Sequence, residues 1–135
     1  MKPSTLEKLL GQDYKKISKK IEKFISDYIS KSSAKGLVIG LSGGLDSSVV
    51  LKLSVNALGP SKVLGLVMPS DTTPREDTNH AIELAKELRI KYHIIDIHPI
   101  IRNFEEILPH DKEARGNLMA RIRMSLLYYY AGING

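Results

Sequence analysis

The apolar run Leu37-Val38-Ile39-Gly40-Leu41 breaks off at Ser42-Gly43-Gly44, and an apolar helical pattern opens just beyond Asp46. The run has the length and composition of a buried strand. Two adjacent glycines let the backbone turn with its N–H groups pointing inward and no Cβ in the way. Ser47 and Ser48 then fall in the first turn of the next helix, where backbone donors lack intrahelical partners. Strand, turn and helix together make an anion cradle of N–H groups, hydroxyls and the positive end of a helix dipole. Its natural guest is a phosphate or pyrophosphate. An acid inside an anion cradle makes sense when a cation arrives with the anion, so Asp46 points to Mg²⁺, which binds through one or two carboxylates plus phosphate oxygens.

The loop is neither of the two commoner phosphate binders. No Lys follows the glycines as in G-x-x-x-x-G-K-[ST], and no G-x-G-x-x-G follows the strand. The bland alternative is a glycine turn with no ligand. The order Ser42-Gly43-Gly44-Leu45-Asp46-Ser47 resembles the S-G-G-x-D-S signature of the PP-loop ATP pyrophosphatases at every fixed position. The resemblance implies that Gly40, Leu41, Ser42, Gly43, Gly44, Leu45, Asp46 and Ser47 hold the β,γ-pyrophosphate of ATP. Asp46 and Ser47 are then the candidate catalytic residues, with Asp46 on the metal.

Around this loop, strands and helices alternate. A first helix is expected over 4–31, with a start signal from Pro3, Ser4 and Glu7 and an apolar stripe Leu10, Tyr14, Ile17, Ile21, Phe24, Tyr28. Strands are expected at 37–41, 62–68 and 92–97, and helices at about 46–58, 75–88, 99–107 and 111–131. Alternation of this kind makes an α/β fold, a doubly wound parallel sheet flanked by helices. Ligands in such sheets sit at the carboxyl ends of the strands, where the loops at 42–47 and 69–74 both lie.

Bulk properties narrow the classes further. The 135 residues suffice for one domain. There is no Cys, hence no disulfide, thiolate metal site or Cys nucleophile, and the histidines at 80, 93, 98 and 110 have poor spacing for a metal. No apolar run approaches the ~20 residues of a membrane span. The polar start is not a signal peptide, which points to the cytoplasm. Net charge is +5, but Lys15, Lys16, Lys19, Lys20 and Lys23 alternate with apolar positions as a solvated helix face does, so no nucleic-acid partner is expected.

The choice within the superfamily rests on Gly116-Asn117-Leu118-Met119-Ala120-Arg121-Ile122-Arg123-Met124. It resembles the G-N-x-x-A-R-x-R-M segment of the ammonia-dependent NAD synthetases. Lys35 through Ser47, the post-strand Met68-Pro69-Ser70 and the long first helix look like that family too, so the resemblance runs from about residue 5 to 131. Asn117 and Arg121 are four apart and share a helical face, continued by Met124 and Tyr128, while Arg123 points about 200° away from Arg121. That face could hold a flat anionic group; by spacing alone it could equally be a helix cap and a surface ion pair.

The resemblance implies a Rossmann-like fold of the adenine nucleotide α hydrolase type. It also implies amidation of nicotinate adenine dinucleotide (deamido-NAD) to NAD, through an adenylate, with release of AMP and pyrophosphate. ATP and Mg²⁺ are the implied cofactors, ammonia the nitrogen donor, and a homodimer the assembly. Asn117 and Arg121 are the implied substrate contacts, with Tyr28 a weaker one. Arg75 suits a surface role better than a phosphate contact, and Tyr128 to Tyr130 suit packing across two chains as well as within one. Another PP-loop activity, such as GMP synthesis or tRNA modification, and a non-catalytic nucleotide-binding or dimerising module are the alternatives.

The chain departs from the family in length. Members are about twice as long, and their second half adds strands, a further magnesium-binding acid and substrate contacts. The expectation is a truncated PP-loop ATP-binding domain over 1–135 with an incomplete sheet, binding ATP weakly, if at all, and having little or no synthetase activity alone.

Overall fold

A computed structural model describes residues 4–135, the side chain of Glu7 excepted. The start signal read from Pro3 and Glu7 lies outside the described residues. The elements in order are α1 (Thr5–Leu10), α2 (Tyr14–Lys31), β1 (Leu37–Gly40), α3 (Leu45–Leu58), a 3-10 turn (Pro60–Lys62), β2 (Val63–Val67), α4 (Arg75–Glu87), β3 (Lys91–Ile94), α5 (His98–Glu105) and α6 (Lys112–Asn134). The strands are parallel in the order β1-β2-β3, with Leu37 opposite Val63 and Leu64 opposite Lys91.

β2 is the middle strand, and its side chains alternate between two cores, as the period of two in a strand requires. Val63 and Val67 join Leu41 and Ile90 against Leu51 of α3 and Ala81 and Ala85 of α4. Leu66 and Met68 face the other way, onto Ile97, Ile101 of α5 and Ile122 of α6. Leu51, Leu66 and Ile101 are fully buried, each contributing about 1.5–3 kcal/mol by leaving water. The sheet is thus covered on both faces, which is why β2 reads as a continuous apolar run.

The long first helix of the sequence reading is two helices. Asp13 caps α2, its carboxylate accepting from the Lys16 amide at 3.1 Å, and Gly11 sits in the break. A capping acid that captures an amide three residues on, next to a glycine costing about 1 kcal/mol in a helix interior, ends the helix there. The apolar stripe continues across the break, which hides it from a periodicity test. β3 is shorter than expected, although Ile95 and Ile97 still donate to Val67 and Pro69 carbonyls at 2.8 and 2.9 Å. Asp96 then turns the chain by accepting from the His98 amide at 2.9 Å. α6 starts at the Asp111 cap, which accepts from the Ala114 amide at 2.7 Å, and runs three residues past the expected end.

Candidate functional site

The loop after β1 folds as a self-tied cradle. Gly43 has φ +81°, and a Cβ there would lie 2.1 Å from the Asp77 carbonyl oxygen, so only glycine fits this turn against the start of α4. The Ser42 and Ser47 hydroxyls stand 3.0 Å apart; the Ser42 hydroxyl accepts from the Gly44 amide at 3.3 Å, and Ser48 donates to the Gly44 carbonyl at 2.7 Å. Gly44 is the N-cap of α3 and offers no side chain, so the first amides of α3 meet no capping group. Asp46 projects from the first turn, exposed, with no hydrogen bond or ion pair among the described residues. A free carboxylate beside uncapped amides is a donor set that suits one carboxylate ligand of a phosphate-bound magnesium ion. Among the described residues no group of three acidic, His or Cys side chains forms a metal cage of its own.

Beside the cradle lies a cavity of about 450 Å³ at the carboxyl ends of the strands. Gly40, Leu41 and Ser42 line it from β1 and the loop, and Met68, Pro69, Thr72, Thr73 and Pro74 contribute from the segment after β2. Leu41, Val67, Met68 and Leu127 make its apolar part; Ser42, Thr73, Asp77, Thr78 and Arg123 supply polar groups. The two strand-end loops therefore line one cavity.

The second loop is itself tied. The Ser70 amide donates to the Thr73 hydroxyl at 3.0 Å, and the Thr73 amide to the Ser70 carbonyl at 3.2 Å. Arg115 of α6 donates to both oxygens of Asp71 at 3.0 Å and also to Glu105 of α5. The Arg115 guanidinium holds the Asp71 carboxyl below the usual aspartate range, and Glu105 and Asp71 together push Arg115 up. His98 Nδ1 is 3.4 Å from Asp71 and is buried without a hydrogen-bond partner among the described residues.

The remaining sequence candidates lie elsewhere. Asn117 and Arg121 are exposed on α6, and neither lines this cavity. Tyr28 is exposed on α2 and stacks on Phe24 with ring centroids 6.0 Å apart. Arg75 is exposed at the first position of α4. Met124 and Tyr128 border a second cavity of about 610 Å³ at the amino ends of the strands. Tyr130 packs within the chain, 5.1 Å from the His93 ring, whereas Tyr128 and Tyr129 are exposed.

The charged side chain of α6 that faces the cavity is Arg123, half-buried, its Nε donating to the Met68 carbonyl at 3.1 Å. Burial pulls its pKa down, yet a guanidinium stays charged at neutral pH. The sequence carried a signal for it, the second Arg of the Arg121-Ile122-Arg123 triplet, but helical spacing alone did not say which Arg faces the loop.

The model of the NAD synthase family matches residues 17–135. The chain belongs to the NAD synthase family. It is 48% identical over 134 residues to an NH3-dependent NAD+ synthetase of Hyperthermus butylicus, covering 97% of this chain and 49% of that protein. The chain thus spans about half the length of that relative. Its fold matches the NH3-dependent NAD synthetase of Campylobacter jejuni, solved with a nitrate ion, with a TM-score of 0.86 and 36% identity over 91% of this chain and 54% of the other. It also matches the glutamine-dependent NAD+ synthetase of Acinetobacter baumannii bound to ADP, with a TM-score of 0.88 and 27% identity, covering 100% of this chain and 26% of that one. The Rossmann-like parallel sheet expected from the PP-loop is the fold these NAD synthetases share with this chain.

Proposed function

We propose that the protein is a carbon–nitrogen ligase of the ammonia-dependent NAD synthetase type. It would join ammonia to deamido-NAD at the cost of ATP, giving NAD, AMP and pyrophosphate. The observation that carries this is the Ser42–Ser47 loop standing over a cavity lined by both strand-end loops, in a chain the NAD synthase family matches over residues 17–135. The ADP in the Acinetobacter baumannii neighbour supports an adenine nucleotide as guest.

In this reading the Gly43 and Gly44 backbone, the uncapped start of α3 and the Ser42 and Ser47 hydroxyls receive the β,γ-pyrophosphate. Asp46 would hold Mg²⁺, which supplies charge neutralisation on the leaving pyrophosphate when bound. The pyridine carboxylate of deamido-NAD attacks the α-phosphorus, and the bond to the bridging oxygen breaks with loss of pyrophosphate. Ammonia then adds to the acyl carbon, loses a proton, and AMP departs. The chain's residues need to align and stabilise charge rather than supply a strong base. Asn117 and Arg121, with Tyr28 more weakly, are assigned to the dinucleotide. That none of them lines the cradle cavity fits a substrate that spans from one surface to another.

Residues 1–135 form the ATP-binding domain in this reading, and the assembly is a homodimer. The exposure of Phe24 and Tyr28 on the apolar stripe of α2 supports a covering partner. A cytoplasmic location is part of this reading; among the described residues no helix is long and apolar enough to cross a membrane.

The test is to incubate the protein with deamido-NAD, MgATP and ammonium and to count products. Whatever NAD forms, however little, is expected in equal amount with AMP and pyrophosphate. ATP cleavage to ADP, or nucleotide binding with no deamido-NAD-dependent ATP–pyrophosphate exchange, would defeat the proposal, the latter in favour of a binding module.

A further inference from the structure

Two arginines on α6, two turns apart, are treated very differently. Arg115 is neutralised by Asp71 and Glu105. Arg123 has no carboxylate within 4.0 Å among the described residues, and its one hydrogen bond runs from Nε to a backbone carbonyl. Its terminal nitrogens, with four N–H donors, are left for the cavity. A partly desolvated guanidinium without an anion is costly, and an anionic ligand removes that cost.

The place of the guanidinium identifies which anion. The cavity meets the cradle at Ser42 but is not lined by Gly43 to Ser47. A nucleotide with its β,γ-phosphates in the cradle therefore lays its α-phosphate, sugar and base into the cavity, whose apolar part at Leu41, Val67, Met68 and Leu127 suits a flat base. The α-phosphate is the one anionic group that remains there. Arg123 is the one cation among the described residues lining it. Its Nε bond to Met68 pins the head at the carboxyl end of the middle strand.

We infer that Arg123 binds the α-phosphate of the nucleotide, before and after pyrophosphate leaves. This rests on the ATP reading of the cradle. The α-phosphate is the group retained in the adenylate, so Arg123 would hold both the substrate and the activated intermediate while the cradle lets its anion go.

The test compares the parent protein with Arg123→Gln and Arg123→Lys by calorimetric titration with ATP, AMP and inorganic pyrophosphate. Arg123→Gln should weaken ATP and AMP alike, by about tenfold or more, the worth of one charged hydrogen bond. Pyrophosphate affinity should stay at the parent value, and Arg123→Lys should recover part of the loss. Parent-like AMP affinity in Arg123→Gln would overturn the inference. So would an equal loss for pyrophosphate, which marks a structural collapse of the site, and thermal melting of each variant identifies that case. If the parent protein binds no ATP, the ATP reading fails and the inference with it; if the parent binds ATP and the variants match it, the inference alone fails.

Discussion

Arg115 of α6 grips Asp71 by both carboxylate oxygens at 3.0 Å, tying the loop that rims the cavity to a helix 44 residues further along the chain. Because the Arg115 hydrogen bond lowers the folded-state pKa of Asp71, the bond contributes stability above the unfolded aspartate pKa. That contribution fades only as pH falls through the lower folded value. The melting-temperature gap between the parent protein and Asp71→Asn should stay constant from neutral pH down to the ordinary aspartate range and close at more acidic pH. A gap that closes near neutrality would show that another group carries the coupling.

Gly43 and Gly116 should respond to alanine with opposite signs. At Gly43 the positive φ costs about 1–2 kcal/mol for a residue with a Cβ, and the methyl would also strike the Asp77 backbone. Gly43→Ala is expected to lower stability by at least ~2 kcal/mol and to abolish ATP binding. At Gly116, inside α6 with open space around it, alanine should raise stability by roughly 0.5–1 kcal/mol. Urea denaturation of the two variants reads both signs in one experiment.

Asp46 has no side-chain partner to lose among the described residues, so Asp46→Asn should leave the melting temperature almost unchanged. Its effect is expected on the metal complex: affinity for MgATP falls by about tenfold, while affinity for ATP in the presence of EDTA stays level or rises. Titrations with and without magnesium check this.

Arg121→Ala should cut deamido-NAD binding by about tenfold or more, as loss of a charge-assisted contact does, with ATP binding retained. Arg121 is exposed on α6 and away from the cavity, so an equal loss of ATP would contradict its assignment to the dinucleotide.

Much of the architecture was legible because it is local. β1, β2 and the helices after them follow from apolar runs and glycine or proline breaks that need no knowledge of the rest of the chain. The break between α1 and α2 was not, because Asp13 acts through one side-chain bond while the apolar stripe runs on undisturbed. The cradle could be read residue by residue, since its chemistry lies within six consecutive positions. The cavity wall could not: Met68 and Arg123 are 55 residues apart, and the Arg115–Asp71 pair 44, distances at which only the folded sheet brings side chains together. Helical spacing separated Arg121 from Arg123 by about 200° and left open which one turned inward.

α6 is a rod of 23 residues, roughly 34 Å at 1.5 Å per residue. Arg115 and Arg123 hold it to the ligand end of the sheet, and at its far end the Gly135 carbonyl accepts from the Lys35 amide at 2.7 Å, just before β1. The strand that leads into the Ser42–Ser47 loop is thus fastened at its other end to the helix that carries Arg123. The strand and the rod form a closed mechanical circuit, so that any tilt of the rod strains the Lys35 amide.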